Sequence, residues 1–276
     1  MWGIISIFKN MLSELMLPEI TVVSIRLVIS TVLFGIYMLI KNPKLFKIRI
    51  GDLWCFFGTG VLSLFLFSWC YFTAMSETSV GVAVTLLYTS PVFVTVMSVI
   101  FFKEKITKNK ILSLILAVFG CIMVTELFGS NLEKLNIPGI ISGLLSGFCY
   151  ALYSIFGKFA IKRGCGSYTI TFYTFLFAAV ASLPFADFSQ VAPVLSNGNF
   201  RLGSLGISVI CCVLPYLFYT KGLEHTPSSK AAVLAVVEPV IGTLVGVCVF
   251  AESMSVYKFI GIVCVLLCTV ILSKGE

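Results

Sequence analysis

Residues 80–104 read VGVAVTLLYTSPVFVTVMSVIFFKE, and residues 228–252 read SSKAAVLAVVEPVIGTLVGVCVFAE. Both stretches are mostly apolar, contain one proline and end on a glutamate. A helix needs roughly 20 mostly apolar residues to cross a bilayer, whereas a barrel strand needs about 10 residues of alternating polarity. Neither stretch alternates in polarity, so both predict membrane-spanning helices rather than the strands of a barrel.

The composition extends this prediction to the whole chain. Of its 276 residues, 59% are hydrophobic and 11% are charged, against roughly a quarter charged in an ordinary soluble domain. A water-soluble fold has no means of burying so much apolar surface, so we expect an all-α integral membrane protein. Nearly all of the cysteines lie inside apolar runs without the spacing of metal ligands, and we interpret them as small packing residues.

The positions of apolar runs and of basic residues predict the topology. We predict ten membrane-spanning helices at 1–12, 19–40, 53–75, 80–102, 109–127, 138–161, 168–185, 203–223, 231–250 and 256–272. Cytoplasmic connectors carry an excess of Lys and Arg, and alternate connectors carry nearly all of them here. The other set holds only Lys9, Lys134, Arg201 and Lys258. The net charge of +7 therefore indicates no nucleic acid partner, but a multi-pass protein of the cytoplasmic membrane with both termini in the cytoplasm.

A shift of 148 positions aligns the second half of the chain with the first. The shift pairs residues of several kinds: Ser6 with Ser154, Tyr71 with Tyr219, Pro91 with Pro239, Thr95 with Thr243 and Glu104 with Glu252. Chance similarity between apolar helices would align only hydrophobic residues, so we predict two five-helix repeats, residues 1–128 and 138–273. An odd number of helices makes the second repeat enter from the opposite face, which gives the inverted repeats common in transporters.

The first predicted helix is shorter than its counterpart in the second repeat. That counterpart begins near Pro138, which corresponds to a position about ten residues before Met1. About 12 apolar residues span about 18 Å, against about 30 Å for the hydrocarbon core. We therefore expect this helix to be truncated at its N-terminus, either because the true start codon lies upstream or because the chain has been shortened.

Several motifs are similar to those of one transporter family. They are Trp2-Gly3 with Ser6, Glu19 with Arg26, residues 85–91 followed by Glu104, residues 150–158, LEHTPSSKAA at 223–232, and residues 237–240 followed by Glu252. With these motifs the chain resembles the EamA-type members of the drug/metabolite transporter superfamily. The resemblance implies a ten-helix carrier of the inner membrane, often an exporter of amino acids or related metabolites, with a central cavity between its two halves.

Two charged residues fall inside predicted helices. A charge at the centre of a membrane helix costs about 2.5 to 3.5 kcal/mol on insertion scales, so Arg26 and Glu238 each require an explanation. Glu238 couples transport to a proton in one interpretation, because a desolvated carboxyl can change charge during the cycle. In the other interpretation both charges are structural, with Glu238 bonded to free backbone groups and Arg26 directed to the interface or paired with an acid.

Prolines and polar side chains indicate where a substrate would bind. Pro91 and Pro239 occupy equivalent places in the two repeats and predict paired kinks beside a midplane site. Amphipathic aromatic rings and small hydroxyls inside the helices are candidates to line the cavity, although such residues also form interfacial belts and helix contacts. These candidates are Trp2, Ser6, Trp69, Thr85, Tyr88, Tyr150, Ser154, Tyr216 and Tyr219.

Other classes of membrane protein fit the sequence less well. An intramembrane enzyme needs a nucleophile and base or several metal ligands, and the single histidine, His225, lies in a connector. ATP-driven pumping would require a G-x-x-x-x-G-K-[ST] loop, which the sequence lacks. We therefore expect a secondary-active transporter, with no metal or cofactor, that exports a small amphipathic metabolite such as an amino acid, driven by an ion gradient. A lipid or drug flippase stays open as the alternative.

Overall fold

The computed structural model describes residues 1–13, 15–126 and 136–273. Within these ranges the chain is helical and has no β-strand, which confirms the expected all-helical class. Seven helical runs in the described chain are long and apolar enough to cross a membrane, two of which are divided into two helices below, and Val256–Leu272 is a shorter apolar run. Lys134 and Lys274, two of the basic residues used in the topology prediction, lie outside the described residues.

Twelve helices are defined along the described chain, two pairs of which are halves of one apolar run. In order they are α1 (Ile5–Ser13), α2 (Glu19–Lys41), α3 (Ile50–Glu77), α4 (Val80–Leu87), α5 (Ser90–Phe102), α6 (Lys108–Val124), α7 (Ile137–Lys162), α8 (Ser167–Ser182), α9 (Gly198–His225), α10 (Ser228–Ala235), α11 (Val237–Phe250) and α12 (Val256–Ser273). A 3₁₀ turn at Trp2–Ile4 leads into α1.

The two stretches quoted first are interrupted helices. The first is broken at Tyr88 and Thr89, between α4 and α5, and the second at Val236, between α10 and α11. Pro91 and Pro239 lie in the first turn after each break. Proline lacks an N–H group, and the N–H groups of a first turn have no helical partner, so proline is tolerated there. At the positions of the predicted kinks the structure thus has short interruptions, closed by hydrogen bonds to the carbonyl three residues earlier, that precede the prolines.

α5 and α11 end with the same backbone conformation. Lys103 and Ala251 are left-handed, with φ of 55° and 54°. The next residue donates its N–H to the carbonyl six residues earlier, at 3.3 Å for Glu104 and 3.1 Å for Glu252. Such closures satisfy carbonyl groups that the helix end leaves unpaired. Both positions are related by the shift of 148.

Wide π turns recur in the same register. One occupies Gly58–Phe65 in α3 and the other Val209–Val213 in α9. The second corresponds to the last five residues of the first after a shift of 148. Turns of this kind are rare and occur mainly as local insertions, frequently at functional sites. Three different departures from regular helix geometry therefore follow the sequence repeat.

Contacts divide the chain into two units. Unit 1 comprises residues 1–68 and 156–225, and unit 2 comprises residues 69–155 and 226–276. The divisions fall within α3 and α7, so each unit contains helices from both predicted repeats. In unit 1 the Arg163 guanidinium donates to Asp52, whose side chain is buried, and joins the start of α3 to the end of α7.

Glu104 and Glu252 are equivalent in sequence and each pairs with the equivalent lysine, Glu104 with Lys110 at 3.7 Å and Glu252 with Lys258, but Glu104 also binds a helix N-terminus. Glu104 accepts hydrogen bonds from the backbone N–H of Ser228 at 2.8 Å and from the hydroxyl of Ser229. Its side chain is 11% exposed, and it caps the N-terminus of α10. Glu252 is 53% exposed and pairs with Lys258 at 3.2 Å. The two glutamates are therefore a matched pair for measuring what a buried cap contributes.

We expect Glu104→Ala to lower the free energy of unfolding by about 1 to 3 kcal/mol, because it leaves buried N–H and O–H donors unpaired. Glu252→Ala removes only an exposed ion pair and should change it by less than about 0.5 kcal/mol. Denaturant unfolding of both purified variants in the same detergent measures the difference. Equal losses would show that Glu104 does not act as a cap.

Candidate functional site

The interruptions of the two helices in unit 2 lie at one apolar core. Tyr88 packs against an apolar core that contains Val236, the residue at the second break, and Val240. The rest of this core comes from α6, α10 and α12. A break leaves backbone groups without helical partners, and at membrane depth this is tolerated only where protein or a water-filled cavity surrounds them. We refer to Tyr88, Val236 and Glu238 as the break junction.

Glu238 is the charged residue of the break junction. It lies in the first turn of α11, one residue before Pro239, and is partly buried. Among the described residues it has no hydrogen bond or ion pair. Tyr88 lies within electrostatic range of the Glu238 carboxyl and of the phenols of Tyr71 and Tyr150. A carboxyl without a fixed partner in the described chain, near the Tyr88 phenol at a helix N-terminus, can bind an ammonium group or exchange a proton.

The other predicted residues of unit 2 have different surroundings. Thr85 shares a hydrogen bond of 2.7 Å with Thr125, just beyond α6, and donates to Gly81. Its hydroxyl is thus used in contact between helices. Ser154 is buried at 4% exposure, whereas Trp69 is 45% exposed. Of the predicted residues of unit 2, Tyr88 lies near Glu238, and Tyr150 lies within electrostatic range of Tyr88.

Unit 1 brings together three of the predicted aromatic residues. Trp2 packs edge-on against Tyr216, with ring centroids 5.2 Å apart, and lies 5.9 Å from Tyr219. Phe175 of α8 also packs against Tyr216, with ring centroids 5.6 Å apart. These rings join the first turn of the chain to α8 and α9, just after the π turn of α9. The cluster provides apolar faces with phenol and indole groups at their edges.

Arg26, Ser6 and Thr171 each carry a buried polar atom in unit 1 that has no hydrogen-bond partner in the described chain. The Nε of Arg26 and the hydroxyl of Ser6 are buried and have no hydrogen-bond partner among the described residues. Arg26 also makes no ion pair within that part of the chain, although it lies within electrostatic range of Cys212 in the π turn. A guanidinium has five donors arranged to match a carboxylate or phosphate. Arg26 is therefore suited to bind an anionic group.

Two aromatic residues near these clusters were absent from the sequence prediction. Tyr71 approaches Tyr88, and Phe175 packs on Tyr216. Tyr71 had a usable signal, because the shift of 148 pairs it with Tyr219, a predicted cavity residue. Phe175 had no such sequence signal, because one phenylalanine among many in an apolar run cannot be told apart from its neighbours.

Comparison with known proteins gives consistent matches. The sequence pattern of the EamA-like transporter family matches residues 1–126 and 137–274. An uncharacterized transporter of Archaeoglobus fulgidus is 30% identical over 192 residues, which are 69% of this chain and 66% of that protein. A second from the same organism is 26% identical over 254 residues, 89% of this chain and 85% of that protein.

A more distant relative and a solved structure extend the match along the chain. The uncharacterized transporter YojE of Bacillus subtilis is 24% identical over 273 residues, which are 96% of this chain and 87% of that protein. One solved crystal structure matches with a TM-score of 0.81 at 13% sequence identity, covering 99% of this chain and 93% of the other. At this identity the structural match shows a shared fold only.

Proposed function

Because the chain belongs to the EamA-like transporter family, we propose that it is a secondary-active carrier that exports a small amphipathic metabolite, such as an amino acid. Family membership and its apolar helices make it an integral membrane protein of transporter type. An ion gradient, with the proton as the coupling ion, would supply the energy.

The proposed architecture is that of ten membrane-spanning helices in two inverted repeats, residues 1–128 and 138–273, with both termini on the cytoplasmic side of the cytoplasmic membrane. The recurrence of breaks, left-handed helix ends and π turns 148 residues apart supports the duplication. The basic connectors support the orientation. Inverted repeats suit alternating access, in which one repeat moves against the other around a fixed site.

The observation that carries the proposal is the break junction of unit 2. Carriers with inverted repeats bind substrate and coupling ions where membrane helices are discontinuous, because the freed ends of half-helices are available to a ligand. Here two discontinuous helices share one core, and the first turn of α11 bears a carboxyl without a protein partner in the described chain. An enzyme would need in addition a nucleophile or a metal cluster, and the described residues contain no group of metal ligands.

An export assay tests this function. Cells that express the protein are loaded with toxic amino acid analogues, dipeptides or drugs, and intracellular accumulation is measured over time. We expect lower accumulation of one class of amphipathic compound than in cells carrying an Arg26→Leu variant at the same membrane level. Unchanged accumulation for every class, together with accelerated lipid translocation in vesicles, would replace the exporter with a flippase.

A further inference from the structure

Two lysines of unit 1 converge on one phenol. The ammonium group of Lys41, the last residue of α2, donates to the hydroxyl of Tyr168 at 2.6 Å. Lys221 of α9 donates to the same oxygen at 3.4 Å. Because both bonds share one oxygen, the two ammonium nitrogens lie at most about 6 Å apart. Two positive charges at this distance repel one another, and an anion beside them would offset that repulsion.

The protein supplies no such anion within its described residues. Lys41 has the phenols of Tyr37 and Tyr168 as its hydrogen-bond partners, and Lys221 has that of Tyr168. Neither lysine forms an ion pair there. Glu224, the acid nearest to Lys221 in sequence, instead accepts from the backbone and hydroxyl of Ser167.

Several other cations in the described chain have acidic partners. Lys9 pairs with Glu19 at 2.9 Å, and Lys258 pairs with Glu252. The lysine pair at Tyr168 therefore differs from these cations. It has an excess of donors, because each ammonium group carries three N–H bonds and each phenol keeps one O–H. An oxyanion is the ligand that such a set of donors matches.

The surroundings favour a lipid phosphate over a soluble one. An exposed apolar strip on α2 ends at Lys41 and consists of Leu33, Ile36, Tyr37 and Ile40. These residues recur at helical spacing, so they lie on one face of the helix. An acyl chain lying along this strip would bring its headgroup to the lysine pair. Lys41, Tyr168 and Lys221 all lie at or near helix ends, where headgroups contact a membrane protein.

We propose that Lys41, Lys221 and Tyr168 form a binding site for the phosphate of an anionic lipid, such as phosphatidylglycerol. The connectors around it hold Lys44, Lys47 and Arg49, and basic clusters on the cytoplasmic side attract anionic headgroups. The lysine pair adds a defined position to this general attraction. The site does not depend on the transported substrate.

Native mass spectrometry of the purified protein tests the site, with phosphatidylglycerol and zwitterionic phosphatidylcholine added separately. We expect wild type to prefer phosphatidylglycerol. Lys41→Gln and Lys221→Gln should each weaken its binding about fivefold, and the double variant about 30-fold. A Lys41→Arg/Lys221→Arg variant should retain binding, because it keeps both charges. Tyr168→Phe provides a milder variant that removes a single hydroxyl and should also weaken binding.

Lys44→Gln/Lys47→Gln is the matched control, because it removes the same charge from the adjacent exposed connector and should keep the preference. Equal weakening in this control would overturn the proposal by showing diffuse attraction to a basic surface. Absence of any preference for phosphatidylglycerol in wild type would also overturn it. Displacement of the lipid by an equal concentration of glycerol phosphate would assign the site to a soluble phosphate instead.

Discussion

Glu238→Gln should reduce proton-driven transport by about 10- to 100-fold. Glutamine keeps nearly the shape of glutamate but has no negative charge and exchanges no proton. A charge-assisted hydrogen bond between Glu238 and its ligand would contribute about 1.5 to 3 kcal/mol. Losing that energy lowers a rate or an affinity by about 10- to 100-fold. The large effect is expected because Glu238 lies at a helix break and has no competing partner among the described residues.

Proteoliposomes with an imposed pH gradient provide the measurement, using the compound identified by the export assay. Glu252→Gln is the matched control, because Glu252 is exposed and lies at the far end of the same helix. It should transport like wild type. If Glu238→Gln retains its full dependence on the pH gradient, Glu238 has no coupling role, and the structural interpretation of this residue stands.

Hydropathy predicted the ends of a helix well where the helix is apolar along its whole length. The predicted run 80–102 has the same outer limits as α4 and α5 together, and the predicted run 256–272 ends one residue before α12 does. α9 was predicted from residue 203 and begins at Gly198. Its first turn is held by the Asn197 side chain, which accepts from the N–H of Asn199. A polar first turn adds no apolar signal, so a pattern of hydrophobicity misses it.

The sequence also predicted where the helices are distorted, but not how. Pro91 and Pro239 indicated local distortion, and the breaks lie two to three residues before them. The proline ring restricts the preceding residue, while the exact point of interruption depends on tertiary packing around Tyr88 and Val236. The π turns carry no proline within them and left no sequence signal.

Candidate site residues were predicted by type, and the structure separates those types by environment. Trp2, Tyr216 and Tyr219 form one cluster, as an aromatic lining would. Thr85 has the same kind of hydroxyl as Ser6, yet it bonds to Thr125 while the Ser6 hydroxyl is unpaired in the described chain. Which hydroxyl has a partner depends on contacts between distant helices, and single-sequence patterns contain no such information.

A contact between helix backbones in unit 2 gives the prediction with the largest effect on folding. α6 and α12 approach so closely that a Cβ atom at Gly261 would lie 2.6 Å from the carbonyl oxygen of Gly120. The same atom would lie 2.7 Å from the backbone N of Val124. Backbone atoms of a packed helix cannot rotate away as a side chain can. The hydroxyl of Ser113 also donates to the carbonyl of Cys268 across this contact, at 3.1 Å.

Gly261→Ala should therefore lower the free energy of unfolding by about 1 to 3 kcal/mol, as overpacking does. Gly261→Leu should prevent accumulation of folded protein, because the two helices would have to separate. Small residues at such contacts allow the close packing on which membrane helix association depends. Thermal unfolding followed by size-exclusion chromatography in detergent measures both effects.

Gly222→Ala in α9 is the matched control for this contact. A Cβ atom there meets no atom within 4 Å, so the added methyl group fits without strain. Alanine is favoured over glycine inside a helix by about 0.5 to 1 kcal/mol, and this variant should melt at or above the temperature of wild type. If Gly261→Ala melts as Gly222→Ala does, the approach of α6 to α12 is looser than described and does not hold unit 2 together.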